Sequence, residues 1–140
     1  VTAPQPTHLA PRELELPAGL VGLPDAVRFR LESWGDDDSP FGLLQSLDDP
    51  DLAFVVVAPE LFFPDYAPEV PDDVVAALEL QEATDIALLA IVTVGDPVER
   101  STANLLGPLV VDLATGRAAQ AVLSPEEHEP RVPLLAASGG

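Results

Sequence analysis

The chain contains no cysteine and no lysine, and only two histidines in 140 residues. Without cysteine there is no disulfide, no thiolate metal site and no cysteine nucleophile, which agrees with a cytoplasmic protein. The histidines, His8 and His128, fall in or near the expected tails, and no G-x-S-x-G elbow is present, so a serine triad is not spelled out. No apolar run approaches the ~18 residues that span a bilayer, so no membrane association is expected. The first residues, VTAPQPTHLAP, hold neither a basic nor an apolar segment, so no signal peptide is expected.

Positive charge is scarce. Six arginines (Arg12, Arg28, Arg30, Arg100, Arg117, Arg131) stand against 24 acids, for a net charge of −18. Such a surface repels phosphate backbones, so direct nucleic-acid binding is not expected, whereas a basic protein partner would be attracted and steered. The same bias is what a GC-rich genome favours, so acidity alone assigns no function.

Hydrophobic residues make up 47% of the chain, too many for a disordered polymer despite 16 prolines. The prolines gather at turns and near the ends. The organisation expected is one folded domain over residues 12–129, a flexible N-terminal extension over 1–11 and a flexible C-terminal tail over 130–140.

Period-two alternation marks RELEL, with Leu14 and Leu16 on one face, and VRFRLE, with Val27, Phe29 and Leu31 on one face. FGLLQSL (41–47) reads as a strand closed by the turn-forming DDPD. LAFVVVA (52–58), DIALLAIVTV (85–94) and LLGPLVVDL (105–113) are continuous apolar runs, hence strands covered on both sides. Pro108 demotes part of the last run to an edge or bulge. ATG at 114–116 supplies a hairpin turn into RAAQAVL (117–123). PDDVVAALELQ reads as a short helix, with Pro71 in its first turn and Asp72 and Asp73 favoured by the helix dipole. About seven strands and one or two short helices predict a mainly β, small antiparallel barrel-like domain, closed or nearly so to hide its edges; a sandwich is the alternative.

No catalytic residue and no cofactor is indicated. In GDDDSP the carboxylates of Asp36, Asp37 and Asp38 diverge, as do those around His128 in EEHEP, so neither run has the spaced ligands of a metal loop and no metal is expected. GLVGL (19–23) lacks phosphate-loop spacing, and its glycines serve turns. Gln45 alternates with Phe41, Leu43 and Leu47, the expected inward face, and Asn104 opens NLLGPLVV; a buried amide must find partners, so each should tie down a turn or a neighbouring strand. In PELFFPDYAPEVP (59–71), Phe62 or Phe63 is expected to cap the barrel end. Tyr66 and Asp65 form an exposed aromatic-acidic edge suited to a basic, partly apolar partner.

Three segments, GLVGLPDAVRF, SPFGLLQSLDDPDLAFVVVAPELFFPDY and STANLLGPLVVDLATGRAAQAVL, resemble in order and spacing the signature segments of the flagellar assembly factor FliW family. The pair Gln45-Ser46, the exit Phe62-Phe63-x-Asp65-Tyr66 and the run from Thr102 to Leu105 carry most of that resemblance. The chain departs from the family pattern at Leu23, where an aromatic is usual, in the acidic segment around Trp34 and in its proline-rich tails. The resemblance implies a small β-barrel-like protein without enzymatic activity, and a monomer is expected. It also implies binding to cytoplasmic flagellin and to the translational repressor CsrA, so that flagellin export frees the protein to capture CsrA. Asp65, Tyr66 and Glu69 are the partner-binding residues expected, with Gln45, Asn104 and Gln120 as weaker candidates. The competing expectation is a small-molecule-binding or hydrolytic β-barrel, which would need a pocket of several hundred Å³ with convergent polar groups.

Overall fold

Strand alternation decides which residues meet in the first sheet. A computed structural model of the chain describes residues 12–20, 22–33, 41–59, 62–63, 65–66, 68–81, 86–95 and 100–134; the expected N-terminal extension and the acidic loop at 35–38 lie outside them. Strands β1 (Arg12–Glu15) and β2 (Arg28–Ser33) pair antiparallel with Leu14 opposite Phe29, and Leu14, Phe29 and Leu31 are buried. β2 pairs with β3 (Phe41–Ser46), β3 with β4 (Ala53–Val57) and β4 with β5 (Ile86–Thr93), all antiparallel.

The inward face of β3 is the opposite of the one expected. Register places Leu31 across from Leu44 and Phe29 across from Ser46. Directly paired residues share a sheet face, so Gly42, Leu44 and Ser46 turn inward, while Phe41, Leu43 and Gln45 are only half-buried on the other side. Counting leucines within one strand favoured the wrong set; the partner strand fixes the right one.

β5 branches the sheet. Its residues 86–89 pair with β7 (Leu109–Asp112), and its last two pair with β6 (Thr102–Ala103). β7 continues through a turn at 113–116 into β8 (Ala118–Gln120), and β9 (Val132–Pro133) flanks β6. The described residues thus form nine strands rather than about seven. β7 starts at Leu109, after Pro108, because residues 105–107 form a bend. The expected C-terminal tail also begins too early, since β9 pairs at Val132 and Pro133 and Leu134 is buried.

The fold is mainly β and antiparallel, and barrel-like only loosely. No ladder closes β8 onto β1. A lone bridge between Glu15 and Arg117 spans the gap, with the Glu15 N–H donating to the Gly116 carbonyl at 2.9 Å. Gly116 has φ 79°, and a Cβ there would stand 3.0 Å from the Glu13 carbonyl oxygen, so this closing turn needs glycine.

Helix α1 (Asp72–Leu78) follows Pro71, which takes the N-cap position with extended backbone (φ −60°, ψ 148°) rather than a place inside the first turn. Val74 and Leu78 bury against Ile86, Leu88 and Val110. At the C-terminal end, Glu79 sits in the left-handed region at φ 54°. Arg117 reaches across from the strands, 3.4 Å from the Ala77 carbonyl and 3.6 Å from the Glu79 carboxylate, placing positive charge where the helix dipole is negative.

Two stability measurements check this packing. Phe29 is completely buried beside Leu14, Leu16 and Leu44, so Phe29→Ala is expected to cost about 3–5 kcal/mol in denaturant unfolding. Glu79→Gly is expected to stabilise by about 0.5 kcal/mol: relief of a left-handed backbone, ~1–2 kcal/mol, outweighs the ~0.5–1 kcal/mol of glycine's unfolded-state entropy. The exposed pair with Arg117 contributes little to that balance. A destabilised Glu79→Gly protein would show that the pair, not the backbone, dominates.

Candidate functional site

The segment leaving β4 is built from successive turns. The Pro59 carbonyl accepts the N–H groups of Phe62 (3.0 Å) and Phe63 (2.8 Å), and the Phe63 carbonyl accepts that of Tyr66 (2.9 Å). Phe62 and Phe63 turn inward onto the cluster of Val57, Ala90, Val92 and Leu105, and the Phe62 ring lies 5.9 Å from that of Phe41. With the phenylalanines committed to the core, Asp65 and Glu69 stay exposed.

Tyr66 is not the exposed aromatic that the sequence suggested. It is half-buried and packs against two apolar clusters, and its hydroxyl donates to the Leu105 carbonyl at 2.7 Å. Burial pushes its phenol well above the ordinary tyrosine range, since a phenolate there would lose its hydration. Its ring and hydroxyl therefore help to build the wall itself.

A second wall faces this one. In SPEEH, the Ser124 hydroxyl accepts the Glu126 N–H (3.3 Å), and the Ser124 carbonyl accepts those of Glu127 (3.1 Å) and His128 (3.0 Å). That single turn brings His128 back to meet Tyr66 edge-on, with ring centroids 5.4 Å apart at 87°. His128 is thus part-buried against an aromatic ring rather than in a solvated tail. Between the walls runs a groove of about 630 Å³, with Tyr66, Val122 and Leu123 as its apolar surface and Asp65, Glu69 and Glu127 as its carboxylates. No arginine lines it, and Val122 is 64% exposed. Such a surface is complementary to a group that combines positive charge with apolar atoms. It is poorly arranged for hydrolysis. Ser124 and His128 line the same groove, but no hydrogen bond joins their side chains, and the serine hydroxyl is engaged with the backbone. Among the described residues, no group of three His, Asp or Glu side chains is placed to hold a metal ion, and no helix is long and apolar enough to cross a membrane.

The weaker candidates lie elsewhere, as turn clamps. Gln45 Nε2 lies 3.0 Å from the Leu52 carbonyl and within 3.3 Å of those of Ser46, Asp49 and Pro50. The buried Ser46 hydroxyl accepts the N–H groups of Asp48 (3.2 Å) and Asp49 (3.0 Å), so Gln45-Ser46 builds the β3–β4 turn from both sides. Asn104 Oδ1 accepts from Leu106 (3.0 Å) and Gly107 (2.9 Å), and Gln120 Nε2 donates to the Gly107 carbonyl (3.0 Å). The structure thus brings Asp65, Tyr66 and Glu69 together in the groove; Gln45, Asn104 and Gln120 do not line it. Sequence reasoning missed the second wall, Val122 to His128. Its one legible signal was Ser-Pro-Glu-Glu, the pattern of a helical-turn start.

Comparison with known proteins bears on the family and the fold. A family model described as FliW protein matches residues 6–134. The flagellar assembly factor FliW of Thermoanaerobacter pseudethanolicus is 32% identical over 117 residues, covering 84% of this chain and 78% of that protein. That of Bacillus licheniformis is 39% identical over 98 residues, covering 70% and 68%. A crystal structure of the flagellar assembly factor FliW superposes with a TM-score of 0.77 at 29% identity, covering 87% of this chain and 84% of that one. The match spans every strand described above, from β1 to β9, and the chain belongs to the FliW family of flagellar assembly factors.

Proposed function

We propose that this chain is a non-enzymatic, monomeric cytoplasmic protein that binds flagellin and, when flagellin is exported, captures the translational repressor CsrA. Flagellin synthesis is thereby coupled to secretion. The observation that carries this reading is the family match across residues 6–134, which takes in all nine strands and both groove walls. The groove supports it. A repressor that binds RNA must present a basic surface, and Asp65, Glu69 and Glu127 rim an apolar surface with no opposing arginine. The net charge of −18 adds long-range attraction for CsrA and repels RNA from the complex.

A second reading, a small-molecule-binding or hydrolytic barrel, draws on the groove's volume of about 630 Å³. It has no paired nucleophile and base to work with, and we set it second.

Calorimetric titration with CsrA, repeated with flagellin present, tests the proposal. CsrA should bind, and flagellin should suppress that binding; a chain that binds neither protein would refute it. Binding of flagellin alone would leave a chaperone without the regulatory arm.

Asp65→Arg combined with Glu69→Arg should weaken CsrA binding by about tenfold or more at low salt, chiefly through association rate. The difference should shrink as ionic strength rises. Both side chains are exposed, so thermal stability should hold. Unchanged affinity would move the CsrA contact away from this groove. Tyr66 is a poor site for such a test, because its hydroxyl is bonded to Leu105 and any loss there mixes binding with packing.

A further inference from the structure

The two groove walls come from distant parts of the chain, Asp65, Tyr66 and residues 68–71 on one side and residues 122–129 on the other, yet both are bonded to one short loop, 104–107. The first wall is tied by the Tyr66 hydroxyl, which donates to the Leu105 carbonyl at 2.7 Å. The second is tied at two points: the Leu123 N–H donates to the Leu106 carbonyl (2.9 Å), and the Leu105 N–H donates to the Glu129 carbonyl (3.1 Å). The spacing of the walls therefore depends on how residues 105 and 106 are held, together with the direct contact of Tyr66 and His128.

That loop has no ladder of its own; besides its backbone bonds to β5 and to the second wall, it is folded by side chains. Asn104 is anchored to β5 by its N–H, 2.9 Å from the Ile91 carbonyl. Its Oδ1 then gathers the Leu106 and Gly107 N–H groups, folding the loop back on itself. Gln120 closes it from β8 by donating to the Gly107 carbonyl. A Cβ on Gly107 would stand 2.9 Å from Gln120 Nε2 and 3.3 Å from Asn104 Nδ2, so the two amides meet at this glycine and a side chain there would push them aside. Neither amide lines the groove.

We propose that Asn104 is a positioning residue for partner binding. It does not touch the partner; through its turn at Leu106 and Gly107 it fixes the carbonyl and N–H groups of Leu105 and Leu106 from which both walls are suspended. The geometry stands independently, while its consequence for CsrA rests on the function proposed above.

Backbone amide exchange on the full chain separates a positioning role from a merely local turn. Asn104→Ala should speed exchange about tenfold or more at Leu106 and Gly107, which lose their acceptor, and also at Leu105 and Leu123, whose N–H groups join loop to wall without bonding to Asn104. The ring signals of Tyr66, the chain's only tyrosine, should shift with them. Asn104→Asp keeps an oxygen in place and should restore both patterns. Should Asn104→Ala not fold, Gln120→Ala cuts the same loop at Gly107 and carries the same expectation at Leu123. Exchange that changes at Leu106 and Gly107 but not at Leu123 or Tyr66 would overturn the proposal.

With CsrA as probe, Asn104→Ala should bind about tenfold more weakly and Asn104→Asp should recover. An Asn104→Asp protein with normal exchange but weak binding would show that the amide itself meets the partner, and would equally overturn the proposal. If the wild-type chain fails to bind CsrA, the functional reading falls, and the exchange experiment still decides the role of Asn104.

Discussion

Strand β5 must be apolar on both faces, and the rest of the molecule follows from that. Its odd residues, Ala87, Leu89 and Ile91, join the cluster that includes Leu14, Phe29 and Leu44. Its even residues serve two further clusters: Ile86 and Leu88 face helix α1, while Ala90 and Val92 face Phe62, Phe63 and Leu134. β7 repeats the division, with Leu109 and Val111 on one side and Val110 on the other. A strand buried on both sides cannot alternate, because any polar residue would be desolvated whichever way it pointed. It also needs its backbone groups paired along both edges, which is why β4 lies on one side and β7 and β6 share the other.

Given that spine, near-closure of the sheet and the position of the groove are linked. The ring from β1 through β5 to β8 encloses the first cluster; its two ends are held by the Glu15 N–H on the Gly116 carbonyl and by Arg12 Nη2 on the Leu113 carbonyl at 3.1 Å. The second and third clusters lie on the outer side of β5 and are covered not by strands but by α1, the Phe62–Tyr66 turns and the chain around Leu123 and Leu134. Tyr66 touches both outer clusters, so the groove forms at the seam between the two coverings.

How much of this was legible in sequence depends on the kind of signal. β1, β2 and β5 announce themselves, because alternation and continuous burial are properties of one strand alone. The inward face of β3 was misread because it belongs to a pair of strands: Leu44 is inside only because Leu31 lies opposite. β6 and β9, two residues each, are too short to carry a period and exist only because they pair with each other and with β5. The clamps Gln45 and Asn104 were legible as polar residues in apolar runs that should tie down a turn or a neighbouring strand; each holds a turn, although Gln45 does so from the half-buried outer face of β3 and not from the inward face expected. The site was half legible. Asp65, Tyr66 and Glu69 lie within five residues of one another, but the facing wall is more than fifty residues away, and nothing local says that His128 returns to Tyr66.

The half-burial of Tyr66 changes how the groove would work in the proposed function. A freely exposed tyrosine would have to be ordered on binding, at a cost in side-chain entropy, whereas one fixed by a 2.7 Å hydrogen bond and an edge-on histidine has been ordered by folding. The acids divide the labour differently. Asp65, Glu69 and Glu127 are exposed, so their attraction is screened by salt and acts mainly on encounter. The apolar surface of Tyr66, Val122 and Leu123 loses water only once a partner is seated, and sets how long it stays. The two contributions are therefore separable: charge acts before contact and is weakened by salt, whereas the prearranged apolar surface acts only after contact and is not.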